Sequence, residues 1–289
     1  MVIVRLMGGL GNQMFQYATG RALADQRGCD LCLDLRNLKR DNLRDYQLSH
    51  YGVRAEICSS SELLRWPYWA RKIIAQLPTI GLRRHWYSEP SFTYSEIRDF
   101  GARTQMLDGY FQSERYFKFI ADRLKQEFSP RMTLPNAMEQ IAQDIRVTNS
   151  VSIHVRAGDY MSDPGVAAVH GVCSKEYYRQ AIDIMRDRVL DPKFFVFSDD
   201  MKWARTILDL PVESVWVEGN HRRPEVDIHL MSLCQHQIIA NSSFSWWGAW
   251  LGSVGHAGGQ IVIAPEPWFN DARLPDFDLV PERWVRLPK

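Results

Sequence analysis

The chain has 289 residues, 45% of them hydrophobic, which is enough to bury the core of one large or two medium α/β domains. Its 35 Lys and Arg face 34 Asp and Glu, for a formal net charge of +1, so no long-range field gathers nucleic acid or an anionic membrane. Any anionic ligand must be held by a few placed residues.

The chain opens MVIVRLMGGLGNQ. The apolar stretch is too short for a membrane span or a secretory core and runs straight into glycines, which predicts a first strand over residues 1–7 rather than a leader. The loop Gly8-Gly9-Leu10-Gly11-Asn12-Gln13 then joins that strand to a helix predicted over 12–27. Gly9 and Gly11 let backbone approach a phosphate, and Asn12 and Gln13 add two amides. The loop is similar to the dinucleotide fingerprint G-x-G-x-x-G, with Asp34 about twenty residues further on, but Met14 stands at the third glycine. A plain strand–helix turn capped by Asn12 is the rival reading. A second strand is predicted over 30–35. Cys29 and Cys32 have C-x-x-C spacing, yet they lie in a strand-like alternation rather than at a helix start or in knuckles. Five cysteines without a disulfide framework suit the cytoplasm.

Residues 60–105 carry scattered Trp, Tyr and Pro with no clean period. Residues 114–128 predict an amphipathic helix through Phe117, Ile120, Ala121, Leu124 and Phe128. SPRMTLPNAM (129–138) reads as a linker running into a further helix. The second half alternates. Strands are predicted at 151–155, 194–197, 215–217, 237–240 and 260–264, with helices over SKEYYRQAIDIMRDRVL and EVDIHLMSLCQ. Ser174 suits the N-cap of the first of these, with Glu176 in its first turn. Such alternation predicts a parallel, helix-covered sheet. The expected organisation is an N-terminal lobe over 1–135, a C-terminal lobe over 149–265, and a Pro- and Trp-rich tail over 266–289 packing across the lobes.

Three polar clusters of the second half fall at carboxyl ends of predicted strands, where open α/β sheets bind ligands. In His154-Val155-Arg156-Ala157-Gly158-Asp159-Tyr160 a cation, an imidazole and a carboxylate crowd one strand end. Arg grips a phosphate through two parallel N–H bonds. The rival is an ion pair of Arg156 with Asp159 closing a turn. In Asn241-Ser242-Ser243-Phe244-Ser245 the polar run exceeds what one cap needs, which suggests a pyrophosphate pocket at a helix start. In Phe197-Ser198-Asp199-Asp200 the carboxylates lack the partners a metal would require. Asp199 suits a base or ribose contact, and a capping Asp is the alternative. The loop SDPGVAAVHG (162–171) is a candidate acceptor loop or lid.

GGLGNQMFQYATGRALA (8–24), DGYFQSERYF (108–117), HVRAGDY (154–160), HGVCSKEYY (170–178), FSDD (197–200) and ANSSFSWWGAWLG (240–252), in this order, resemble bacterial α-1,2-fucosyltransferases of glycosyltransferase family 11. The resemblance covers nearly the whole chain. It implies a GT-B architecture of two Rossmann-like lobes with a cleft between them. It implies transfer of fucose from GDP-β-L-fucose, with inversion, to the 2-hydroxyl of a galactose-terminated or lipid-linked glycan. No divalent metal or other cofactor is implied. The expected setting is the cytoplasm or the inner face of its membrane, in O-antigen or capsule synthesis. Arg156 matches the family's motif; His154 is expected to orient the turn or touch the diphosphate, and Asp159 is a candidate base. Family members often carry a second Arg where this chain has Ala157. A fucosyltransferase of another linkage is an alternative. Two further readings rival these: a nicotinamide-dependent oxidoreductase, from the Gly loop and Asp34, and a carbohydrate-binding module, from the 10 Trp.

Overall fold

The computed structural model describes residues 1–40, 44–59, 85–97, 103–131, 133–219, 223–253 and 259–289. Most of the region 60–105, which shows no clean period, lies outside the described residues. The chain divides into two compact units: Met1–Phe128 with Phe277–Leu279, and Ser129–Asp276 with Val280–Lys289. Among the described residues no helix is long and apolar enough to cross a membrane.

Unit 1 is built on β1 (Val2–Arg5), β2 (Leu31–Asp34), β3 (Glu56–Ile57), β4 (Trp86–Ser88) and β5 (Gln105–Asp108), in the order β3-β2-β1-β5-β4, with every pairing parallel. Helix α1 (Leu10–Gln26) packs its length against this sheet. Gly20 makes that approach possible, because a β-carbon there would run into Val4 and Leu31. The helix expected over 114–128 is broken. Two 3-10 turns (Glu114–Tyr116 and Lys118–Ile120) precede α2 (Ala121–Glu127). Phe117, between the turns, is buried beside Phe15 at φ −143°, ψ 0°, outside helical geometry. Cys32 on β2 and Cys58, just past β3, form a disulfide, against the expectation of none, because the Cys58 N–H continues the parallel ladder to the Leu33 carbonyl and brings the two Cα atoms to 5.4 Å. Cys29 is a free thiol.

Unit 2 begins with α3 (Asn136–Val147) and β6 (Asn149–Val155). Then come α4 (Gly158–Ser162), α5 (Pro164–Val169), α6 (Lys175–Arg188), β7 (Pro192–Ser198), α7 (Met201–Ile207) and β8 (Val215–Trp216). The remainder is α8 (Pro224–Leu233), β9 (His236–Ile238), α9 (Ser243–Ser253), β10 (Val262–Glu266) and β11 (Val285–Pro288). The sheet order is β11-β10-β9-β6-β7-β8, again parallel throughout. Val151, Ile153 and Val155 share a core with Tyr177, Tyr178, Ala181, Ile182 and Met185 of α6. Ser174 caps α6 by accepting from the Tyr177 N–H at 3.1 Å, as its sequence position predicts. The opposite face is buried too: Ser152 hydrogen-bonds Gln237, which donates to the Met231 carbonyl at 2.6 Å. Burial of both faces is what a parallel sheet requires. The tail is more regular than its composition suggested. Phe277–Leu279 joins unit 1, Trp284 packs on Trp246 (5.5 Å), and Val285–Pro288 closes the unit 2 sheet as an edge strand.

Candidate active site

At the carboxyl end of β6 the chain turns and presents Arg156. Its guanidinium lies 2.9 Å from Asp199 Oδ2 and 5.3 Å from the centre of the Tyr160 ring. Asp199, at the end of the neighbouring β7, also accepts from the Ala157 N–H at 2.9 Å. The ion pair is therefore made with Asp199, across two strands. The backbone of Asp159 lies in α4, and its side chain is outside the described residues. Gly158 is needed because a β-carbon there would run into the Asp199 carboxylate. Side chains of Arg156 and Asp199 are 22% and 25% exposed, so an arriving anion can compete for the guanidinium. Asp200 does the helix work instead, accepting from the Trp203 N–H at 3.0 Å to cap α7.

His154 is buried on the same strand, 5.5 Å from the Phe244 ring. Burial, seconded by the Arg156 charge, pushes its imidazole down from the ordinary 6.5 to about 3. The ring is therefore neutral at physiological pH, a fixed dipole rather than a second cation. Its Nδ1 is buried without a hydrogen-bond partner among the described residues. Since the folded affinity for protons lies below the unfolded one, the stabilising contribution is complete above pH 6.5 and is lost as pH falls toward 3. Thermal melts between about pH 4 and 7 should therefore show a shallower loss of Tm in His154→Gln than in the wild type. Equal slopes would show that His154 takes no part.

The polar run before α9 separates into two sets. Asn241 and Ser245 are fully buried and turned inward. Asn241 Nδ2 donates to the carbonyls of His170 (2.8 Å), Gly171 (3.2 Å) and Trp268 (3.1 Å), and its Oδ1 accepts from the Cys173 thiol at 3.6 Å. Ser245 Oγ donates to the Ala240 and Ser242 carbonyls. Ser242 Oγ accepts from the Phe244 N–H at 3.3 Å. Ser243 and Phe244 are half-buried at the opening turn of α9, where helix N–H groups lack intrahelical acceptors. Beside Arg156 stands an aromatic wall that carried no role in the sequence reading: His170 stacks on Tyr160 at 4.8 Å and contacts Phe269 at 5.6 Å. Lys289 Nζ holds it from behind through the His170 carbonyl (2.7 Å). Its signal was an aromatic four residues after Arg156, one turn into α4. The segment 162–171 is a short helix capped by Asp163, with Gly171 at φ +60°.

In unit 1 the Gly loop is braced from within. Gln13 is buried; its Nε2 donates to the Gly8 (3.0 Å) and Asp45 (2.8 Å) carbonyls, and its Oε1 accepts from the Gln47 N–H (3.0 Å). Gly11 is buried inside α1, whereas Gly9, its N-cap, and Asn12 are half-buried. Asn12 Oδ1 accepts from Gln112 Nε2 at 2.8 Å. Asp34, the ribose ligand that a nicotinamide reading needs, is buried and held by Arg36 (2.7 Å) and Arg5 (3.6 Å).

Two wholly parallel α/β units make up the GT-B fold. Solved structures show the same fold: an Arabidopsis thaliana FUT1 variant in complex with GDP (13% identical, covering 97% of this chain and 74% of that one, TM-score 0.54) and the fucosyltransferase NodZ from Bradyrhizobium (14%, 86% and 90%, TM-score 0.50). The chain belongs to glycosyl transferase family 11, whose model matches residues 70–287. It is similar to an α-1,2-colitosyltransferase of Escherichia coli, 37% identical over all of this chain and 99% of that protein. The O-antigen biosynthesis glycosyltransferase WbnK of Escherichia coli is 30% identical over 98% and 99%. Galactoside α-(1,2)-fucosyltransferase 1 of Saimiri sciureus is 28% identical over 97% and 73%.

Proposed function

We propose that the protein is an inverting galactoside α-1,2-L-fucosyltransferase, moving fucose from GDP-β-L-fucose to the 2-hydroxyl of a terminal galactose. The observation that carries this reading is Arg156, held by Asp199 at the carboxyl end of the unit 2 sheet. Breaking the sugar–phosphate bond leaves negative charge on the β-phosphate, and fixed donors aimed at that charge lower the barrier. Arg156 supplies the positive charge and a forked grip. The first turn of α9 at Ser243 and Phe244 supplies neutral N–H donors. His154 stays uncharged beside them. In this reading no divalent metal takes part, and the enzyme works on glycans or lipid-linked glycans at the inner face of the cytoplasmic membrane.

A second donor is favoured by the 37% identity to an α-1,2-colitosyltransferase. Colitose is L-fucose without its 3-hydroxyl. A site that hydrogen-bonds that hydroxyl discriminates strongly against the deoxy sugar, whereas one that does not accepts both. GDP release should therefore be measured with GDP-fucose and GDP-colitose against a panel of galactosides in EDTA, with product linkage read by NMR. GDP-fucose turnover with an α-1,2 product is the expected result. An absolute requirement for Mn²⁺, or turnover of GDP-colitose alone, would overturn the corresponding part.

A further inference from the structure

Arg156 is restrained in two different ways, and both restraints lie within unit 2. Asp199 Oδ2 meets its Nη1 at 2.9 Å, so the carboxylate holds the guanidinium by its N–H edge. Tyr160 holds it by its face, because Arg156 Cζ lies over the phenol ring, 5.3 Å from the centre. The Met161 N–H donates to the Ala157 carbonyl at 2.9 Å, so the chain turns helical straight after Arg156. Tyr160, four residues on, is thereby set beside it.

The ring is itself held. His170 stacks on it at 4.8 Å with 14° between the planes, and its hydroxyl donates to the Asn241 carbonyl at 3.3 Å. The His170 carbonyl accepts from Asn241 Nδ2 at 2.8 Å and from Lys289 Nζ at 2.7 Å. Phe269 packs against the imidazole at 5.6 Å. Gly171, at φ +60°, closes the turn where a β-carbon would run into Asn270. Residues far apart in the chain thus converge on one ring. Covering the core does not explain this, since Tyr160 stays half-buried on a five-residue helix and takes no part in the apolar cluster between β6 and α6.

The two restraints respond differently to an arriving anion. A phosphate and a carboxylate compete for the same N–H edge, whereas a ring takes only the π face and leaves the N–H groups to the phosphate. Asp199 also offsets the positive charge that a leaving group needs, and an aromatic ring does not.

We propose that Tyr160 is the positioning residue of Arg156, an inference that rests on the leaving-group role given to Arg156 above. As the diphosphate draws the guanidinium edge away from Asp199, the Tyr160–His170 stack keeps its plane aimed at the β-phosphate.

Tyr160→Leu removes the ring. Its kcat for GDP release from GDP-fucose should fall by about 10–10²-fold, the effect of misplacing a catalytic group by about an ångström, with KM for the galactoside unchanged. Tyr160→Phe keeps the ring and gives up only the bond to Asn241, so it should recover most of that loss. The double variants carry the test. In R156A, Y160L should change kcat by less than about twofold, because no guanidinium is left to position. In D199N, where the edge restraint is gone, Y160L should lower kcat by a larger factor than in the wild type. His170→Ala leaves Tyr160 in place without its backing. It should show a smaller loss that also vanishes in R156A, and it stands in for Y160L if that variant does not fold. If the loss is the same in R156A as in the wild type, or if Y160F is as slow as Y160L, the ring does not act through the guanidinium and the proposal falls. If R156A itself turns over at the wild-type rate, the leaving-group reading falls instead, and Tyr160 has nothing to position. A wild type that releases no GDP from GDP-fucose with any acceptor overturns the fucosyl reading, and the role of Tyr160 with it.

Discussion

Replacing Arg156 with Ala should lower kcat for GDP-fucose by about 10²–10³-fold or more, with a smaller rise in KM. That range corresponds to about 2.7–4 kcal/mol of lost transition-state stabilisation, typical of removing one fixed donor from a developing anion. The loss should be large because the flanking residues of the same segment do not substitute. The next residue is Ala157, whose side chain is buried and whose N–H is committed to Asp199 at 2.9 Å. His154 is neutral and adds no charge. Arg156→Lys keeps the charge but loses the forked geometry, so it should recover only part of the rate. Asp199→Asn keeps an oxygen for the Ala157 N–H and removes the ion pair. It should leave Arg156 less fixed, and its loss should be smaller than that of R156A. Steady-state kinetics at saturating acceptor separate these cases. Near-wild-type turnover in R156A would remove Arg156 from the mechanism.

The sequence showed the second unit more clearly than the first, for physical reasons. β6 and β7 are seven residues each, apolar on the face that meets α6, and end in distinctive polar turns. β3, β4 and β5 are two to four residues long, too short to display a period, although β5 lies beside β1 at the centre of its sheet. Arg156, His154 and the start of α9 were legible as a cluster because they sit at strand ends. Which amides face a ligand was not legible. Asn241 and Gln13 look like ligand groups by type, yet their hydrogen bonds go to carbonyls 71 and 32 residues away, from loops no local pattern could place. The partner of Arg156 was sought nearby at Asp159, while strand pairing brings Asp199 to it.

Arg5→Met should destabilise unit 1 by about 3–5 kcal/mol in urea unfolding followed by circular dichroism. Arg5 ends β1, is wholly buried, and stands in register with Asp34 on β2. Its guanidinium faces Asp34 at 3.6 Å and Asp108 at 3.3 Å and lies 5.2 Å from the centre of the Trp86 ring. With Arg36, two cations oppose two carboxylates. Burial alone would raise the Asp34 carboxyl, but the Arg36 hydrogen bonds and the charges of Arg36 and Arg5 outweigh it and hold the group below its usual range. Methionine fills the volume but leaves two buried carboxylates sharing one cation. Asp34 keeps Arg36, so the uncompensated charge falls on Asp108. Adding Asp108→Asn to R5M should then cost less than the sum of the two single variants, because neutral Asn removes that charge. Additive double-variant energies would mean that packing at the sheet centre, rather than charge balance, sets the role of Arg5.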